Sequence, residues 1–338
     1  MTDSYFSLKP QDQREILQTA AARLGKQAAV LEKDIWLCWV LEQLFSMPKA
    51  HPMAFKGGTS LSKIYNIIDR FSEDVDITLD YRHFEDDFDP FHEGASKSQI
   101  RKFSDRLKSY VNDYANNVVK PYLEAASQSL ETPDDHTLKI DDTGEKIWFS
   151  YPSAIEERDA YFTSDVLIEL GGRNVIDPNE RHSITAEIAP LTTGLTFPKA
   201  EVTVLSPSRT FWEKATLIHV ECMRGRLKDS PDRLSRHWYD LTRIAKHQSG
   251  INAINDRALF EDVIQHKKVF FNAGYTNYDK CLAGELRLLP DSDCQTGLRS
   301  DYEAMQRSGM MYDQPVPFDD LISSISDLES RVNDWSAS

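Results

Sequence analysis

A chain of 338 residues, 40% hydrophobic and 28% charged, can bury a sizeable core in one large or two modest domains; it is neither fibrous nor disordered in composition. No run approaches the roughly eighteen apolar residues a transmembrane helix needs, and the opening MTDSYFSLKPQDQRE lacks the basic-then-apolar pattern of a signal peptide. A net charge of −15 argues against loose binding to nucleic acid, and Cys38, Cys222, Cys281 and Cys294, scattered without a C-x-x-C pair, argue against disulfides and structural zinc, so a reducing cytosol is expected.

Residues 11–25 and 28–46 read as helices. In the second, Val30, Leu31, Leu37, Cys38 and Leu41 recur at helical spacing as an apolar stripe. Asp34 falls on that stripe with nothing nearby to suggest a metal, so a buried structural salt bridge is expected. A short buried strand over Met53–Phe55 ends at Lys56. Gly57-Gly58 then makes a tight turn, and Thr59 or Ser60 can cap a helix over about 60–69. Asp74–Leu79 reads as a strand, 82–96 as an acidic loop and 97–127 as one long helix.

The chain then turns β-rich, with strands expected over 136–141, 145–151, 164–170, 182–189 and 200–205. From Ser206 onward helices dominate, over 207–224, 231–248, 257–269, 298–309 and 316–333. The aromatic-rich stretch 270–278, FFNAGYTNY, reads as core and loop, although such residues can also stack on bases. The expected fold class is α+β: a catalytic domain over 1–205 followed by a mostly helical C-terminal domain over 206–338.

Chemistry concentrates in KGGTSLSKIYNIIDRFSEDVDITLD, residues 56–80. Asp74 and Asp76 stand at i and i+2 of a strand, so both carboxylates point to one face, where a divalent cation with oxygen ligands can bind. The glycine turn beside them can cradle phosphate through its backbone amides. A third carboxylate on a neighbouring strand would complete a two-metal arrangement. Glu169 in VLIEL is preferred, because Gly171-Gly172 after it leaves room for substrate; Glu187 in TAEIAPL is the competitor. Lys214 lies along the apolar stripe of 207–224, among Thr210, Phe211, Leu217 and Ile218. A buried ammonium needs an anion, either in a structural ion pair or on a bound triphosphate. Asp240, between Arg236/His237 and Arg243/Ile244, reads from composition alone as structural.

Charge is uneven: 73–89 holds eight acids against Arg82, whereas 224–246 holds Arg224, Arg226, Lys228, Arg233, Arg236, Arg243 and Lys246 against three aspartates. That basic segment is either a solvated helix face or an attachment point for a polyanion.

Four segments in order, GGTSL, RFSEDVDI, SPSRTFWEKATLIH and RHWYDLTRI, together with EKDIWLCWVLEQLF, resemble the AbiEii/AbiGii-type nucleotidyltransferase toxins over roughly residues 25–250. That family belongs to the DNA-polymerase-β-like nucleotidyltransferase superfamily, so the resemblance implies a mixed sheet flanked by helices, Mg²⁺ (or Mn²⁺) and a nucleoside triphosphate. It further implies a toxin paired with an adjacently encoded antitoxin, in plasmid maintenance or abortive phage infection, acting on an RNA acceptor such as a tRNA end. By motif match, Lys56, Gly57, Gly58, Thr59 and Ser60 would hold phosphates, Thr59 or Ser60 supplying the hydroxyl. Asp74 and Asp76 would bind metal with Glu169 as helper; Lys214 would neutralise phosphate charge, and Asp240 would orient Lys214 or the base. Arg233, Arg236 and Arg243 would meet the acceptor backbone. Competing readings are a small-molecule nucleotidyltransferase, a metal-dependent phosphohydrolase and a non-catalytic nucleotide-binding defence component.

Overall fold

The computed structural model describes residues 3–130, 136–155, 164–225, 233–308, 311–312, 314 and 316–334. Among them, strands β1 (Asp3–Ser4), β2 (Met53–Lys56), β3 (Val75–Asp80), β4 (Thr137–Ile140), β5 (Lys146–Ser150), β6 (Asp165–Asn174), β7 (Asn179–Thr185), β8 (Leu195–Thr196) and β9 (Lys199–Leu205) all precede Ser206. Helices α1 (Pro10–Leu24), α2 (Ala28–Ser46), α3 (Gly57–Lys63), α4 (Lys97–Tyr114) and α5 (Lys120–Ser127) are interleaved with them. After β9 come α6 (Pro207–Arg224), α7 (Arg236–Lys246), α8 (Gln248–Asn255), α9 (Arg257–Phe270), α10 (Tyr278–Leu282), α11 (Ser292–Arg307) and α12 (Phe318–Asn333). The class is α+β, as the sequence pattern indicates. α4 and α5 are the single long helix expected over 97–127, joined through a π-helical stretch at Ala115–Val119.

Two compact units share the chain. One holds residues up to Ile64 together with Ser72–Phe88 and Lys102–Leu205; the other holds Tyr65–Phe71, Asp89–Arg101 and Ser206 onward. Two short pieces of the N-terminal half therefore belong to the helical unit. Packing and charge explain both: Arg70 bonds Asp240, and Phe91 sits against the rings of His266 and Phe270.

The first unit is built on a seven-stranded mixed sheet in the order β4-β5-β6-β3-β2-β9-β7. β3 pairs parallel to β6 and antiparallel to β2, and β2 pairs parallel to β9. α2 lies on the core face, packed against β9 and β6, and is buried around most of its circumference rather than along one stripe. Even its consecutive charges Glu32, Lys33 and Asp34 are buried, and each has a partner. Glu32 accepts from the Ala154 N–H at 2.6 Å, Lys33 pairs with Glu73 at 2.6 Å, and Asp34 pairs with Lys63 at 2.5 Å while accepting the Glu187 N–H at 2.7 Å. Asp34 is thus in a buried structural salt bridge, as expected. These pairs tie α2 to α3, to the segment leading into β3 and to the segment that follows β7.

In the helical unit, α6 starts at Ser206, whose hydroxyl accepts the Ser208 N–H at 3.2 Å, and stops at Gly225 in the left-handed region at φ +69°. Trp212 and Trp238 are fully buried, and each indole finds a carbonyl: Ala253 at 3.1 Å and Leu288 at 2.9 Å. Among the described residues all four cysteines are free thiols, and no helix is long and apolar enough to cross a membrane.

Candidate active site

The strand alternation that suggested a carboxylate pair is present. Val75 and Ile77 point into the core, while Asp74, just ahead of β3, and Asp76 within it are partly exposed on the other face. Strand register then lays out a row of charge across four strands. Lys146 on β5 pairs in register with Glu169 on β6, Glu169 with Asp76 on β3, and Asp76 with Lys56 on β2. Residues in register share a face, so the row reads cation, anion, anion, cation. Lys146 reaches Glu169 at 3.0 Å, and this bond is the main reason its ammonium titrates above the usual lysine range; the charge of Asp74 acts in the same direction. Glu187 is elsewhere, paired with Lys26 at 2.6 Å.

Gly57 shows why this turn requires glycine. Its φ is +82°, and a Cβ built on it would lie 1.9 Å from Asp76 Oδ2. Absence of a side chain at Gly57 is what lets the carboxylate of Asp76 lie against the β2–α3 junction. The helix begins at Gly57 itself and ends at Lys63, earlier at both ends than the expected 60–69. Thr59 and Ser60 are consequently inside α3, not capping it, and both are buried. The Thr59 hydroxyl donates to the Asp74 carbonyl at 2.7 Å, and that of Ser60 to the Gly57 carbonyl at 3.0 Å. Both hydroxyls are thus committed to backbone carbonyls rather than presented to a phosphate. Thr59 instead pins the backbone of Asp74, which steadies the carboxylate pair.

Two further expectations are corrected. Gly171 and Gly172 lie within β6, not after it, and a Cβ on Gly172 would come within 2.2 Å of Val111 Cγ2 on α4. That glycine makes room for helix packing, not for substrate. Among the described residues, no group of three or more Asp, Glu, His or Cys side chains gathers closely enough to hold a metal, so Glu169 does not complete a three-carboxylate set. Two carboxylates still suit Mg²⁺, which is commonly held by one or two of them and otherwise by phosphate oxygens and water.

A second constellation is built within the helical unit. Arg70 grips Asp240 with both arms of its guanidinium, Nε on Oδ1 and Nη2 on Oδ2, each at 2.7 Å. Lys214 Nζ meets the same Oδ2 at 2.9 Å. Relative exposures are 2% for Arg70, 0% for Asp240 and 8% for Lys214. One buried anion therefore serves two buried cations. Although burial alone would raise the Asp240 pKa, Arg70 and then Lys214 hold it below the usual carboxylate range. Lys214 is pushed below the ordinary lysine value, mainly by burial and further by Arg70, against the pull of Asp240. His237 next door is held well below the ordinary histidine range by burial and by Lys214 and Arg236, which keeps it neutral near pH 7.

Asp240 has no exposed surface, and its bond to Lys214 fixes the direction of that ammonium in the structure. Composition alone left Arg70 unnoticed. The sequence signal is weak: Ile67, Ile68 and Phe71 surround Arg70, but Asp69 stands directly before it and offers a local partner. Of the basic segment, Arg226 and Lys228 lie outside the described residues. Arg243 is bonded to Asp69 and to the Ile67 carbonyl while much of its side chain stays exposed. Arg233 and Arg236 contribute positive potential to the same cluster, Arg233 at Arg70 and Arg236 at Lys214.

The sequence profile described as "Nucleotidyl transferase AbiEii toxin, Type IV TA system" matches residues 39–324. The chain belongs to this family. It is accordingly a nucleotidyltransferase toxin of the type IV toxin–antitoxin class, which uses a nucleoside triphosphate. No curated protein sequence matches it significantly. Among solved structures it is similar to MenT4, a nucleotidyltransferase toxin from Mycobacterium tuberculosis H37Rv, with 15% identity and a TM-score of 0.45 over 96% of this chain and 98% of that one. So distant a likeness carries no argument, and the assignment rests on the family match.

Proposed function

We propose that this AbiEii-family chain is a Mg²⁺-dependent enzyme that transfers a nucleotide from a nucleoside triphosphate to the end of an RNA, with tRNA the acceptor to test first. The observation that carries the reading is the carboxylate of Asp76 lying against the bare Cα of Gly57, with Asp74 on the same strand face. Asp74 and Asp76 would hold the Mg²⁺, which offsets phosphate charge and makes an acceptor hydroxyl a better nucleophile when bound. The phosphates would lie along the β2–α3 turn at Lys56, Gly57 and Gly58. By the motif match Lys214 would supply an ammonium for them, and its bond to Asp240 fixes its direction. The acceptor hydroxyl would attack the α-phosphorus and give up its proton to solvent; the bond from the α-phosphorus to the bridging oxygen breaks, and pyrophosphate leaves. Holding these groups in fixed positions accounts for most of the acceleration.

Arg233 and Arg236 add positive potential that an RNA backbone can use, which supports a polyanionic acceptor in a chain whose net charge is −15. An antitoxin encoded beside the toxin is the expected partner, and the cytoplasm the expected place of action. The test is incubation of the protein with Mg²⁺, total tRNA and each α-labelled nucleotide in turn. Label appearing at an RNA end with release of pyrophosphate is the expected result. Label on a small molecule, or free phosphate with no labelled acceptor, would replace the reading with one of its competitors.

A further inference from the structure

Buried ion pairs ordinarily match charge, because an uncompensated charge held away from water is strongly destabilising. The cluster around Asp240 does not match charge. Arg70, with five N–H donors in a planar fork, takes both carboxylate oxygens, and Lys214 must share Oδ2 with it. Asp240 has one negative charge to offer and no exposure through which water could help. Arg236 adds positive potential at Lys214 and Arg233 at Arg70, while the Asp301 carboxylate is taken up by the backbone amides of Arg233 and Ser235. His237, which also faces Lys214, is held well below the ordinary histidine range, mainly by burial, and carries no charge near pH 7.

We propose that Arg70 is a positioning residue that sets charge: by occupying both oxygens of Asp240, it leaves the Lys214 ammonium under-compensated, so that this buried cluster holds one net positive charge in reserve for a phosphate group. The inference rests on the nucleotidyltransferase reading and deepens it by assigning a role to a residue in the segment just ahead of Asp74. Without Arg70, Lys214 and Asp240 would form a neutral pair, better matched but poorer at attracting phosphate. Removal of a cation that never touches the ligand should therefore weaken its binding. The converse also follows, since neutralising Asp240 at the same time returns the cluster to one net positive charge.

The test uses the full-length protein and titrates it calorimetrically with inorganic tripolyphosphate, a probe independent of the base, and then with each Mg·NTP. Arg70→Met is expected to raise the dissociation constant for tripolyphosphate by about tenfold or more. The double variant Arg70→Met/Asp240→Asn should return to within about threefold of the parent. A purely structural role for Arg70 predicts no such recovery, because the double variant has lost still more hydrogen bonds. Equal affinity of Arg70→Met and parent, or failure of the double variant to recover, overturns the proposal. Should Arg70→Met not fold, Arg70→Lys carries the test: it keeps the charge and loses the fork, so near-parental affinity supports the inference, and a folded variant with a tenfold loss defeats it. No binding of any triphosphate by the parent would instead defeat the underlying reading.

Discussion

The carboxylate row on the sheet and the cluster around Asp240 handle charge in opposite ways. Lys146, Glu169, Asp76 and Lys56 sit on a partly exposed sheet face, where water screens each charge and spacing is set by strand register. Arg70, Asp240 and Lys214 are desolvated, and their spacing is set by hydrogen bonds of 2.7–2.9 Å. The metal ligands proposed above would have to exchange water for phosphate as a substrate arrives, and exposure suits that role. The role proposed for Lys214, neutralising phosphate, would gain strength from dryness and from its being held before the ligand comes. The first arrangement should therefore tolerate substitution structurally while losing activity, and the second should lose stability as well.

The largest effect expected breaks the wet side. Asp76→Asn or Asp74→Asn should lower pyrophosphate release by about a thousandfold or more, with the melting temperature nearly unchanged; a variant with more than a tenth of parental activity would remove that residue from the site. Next comes the dry side. Asp240→Ala leaves Arg70 and Lys214 facing each other in the core and should cost about 3–5 kcal/mol in denaturant unfolding; a loss under about 1 kcal/mol would mean the cluster is far wetter than its burial indicates.

Acid sharpens the same contrast. The Asp240 pKa is lower folded than unfolded, where it is about 4, so its stabilising contribution is complete above that value and fades as the pH falls below it. Melting temperatures from pH 7 to pH 3 should thus decline more steeply for the parent than for Asp240→Asn, and equal slopes would contradict the assignment.

Glycine substitutions give the smaller effects. Gly57→Ala must move the Asp76 carboxylate and adopt an unfavourable φ, so activity should fall about a hundredfold for only about 1–2 kcal/mol of stability. Gly172→Ala should cost about 1–3 kcal/mol through its clash with Val111, with little change in activity per folded molecule. Val111→Ala in the same chain should restore part of that stability, as unfolding curves of the single and double variants would report.

Sequence alone reached the elements whose signals are local. Alternation of Asp74, Val75, Asp76 and Ile77 fixes which side chains share a face, and the apolar neighbours of Lys214 and Asp34 mark each as a charge needing a partner, because 2.0 and 3.6 residue periods are properties of the backbone itself. Ordered motifs supplied the family for the same reason: they lie in the chain as written. Tertiary structure decided who the partners are. That Asp34 meets Lys63, that Glu169 stands beside Asp76 while Glu187 pairs with Lys26, and that Asp240 is clamped by Arg70 from 170 residues away all depend on long-range register and packing. Gly57 shows the division within one residue: its presence in a turn is readable, but the carboxylate that forbids a side chain there arrives only when β3 pairs with β2. Local steric rules act between neighbours in sequence, whereas the match of one charge to another is settled only by where the folded chain brings them.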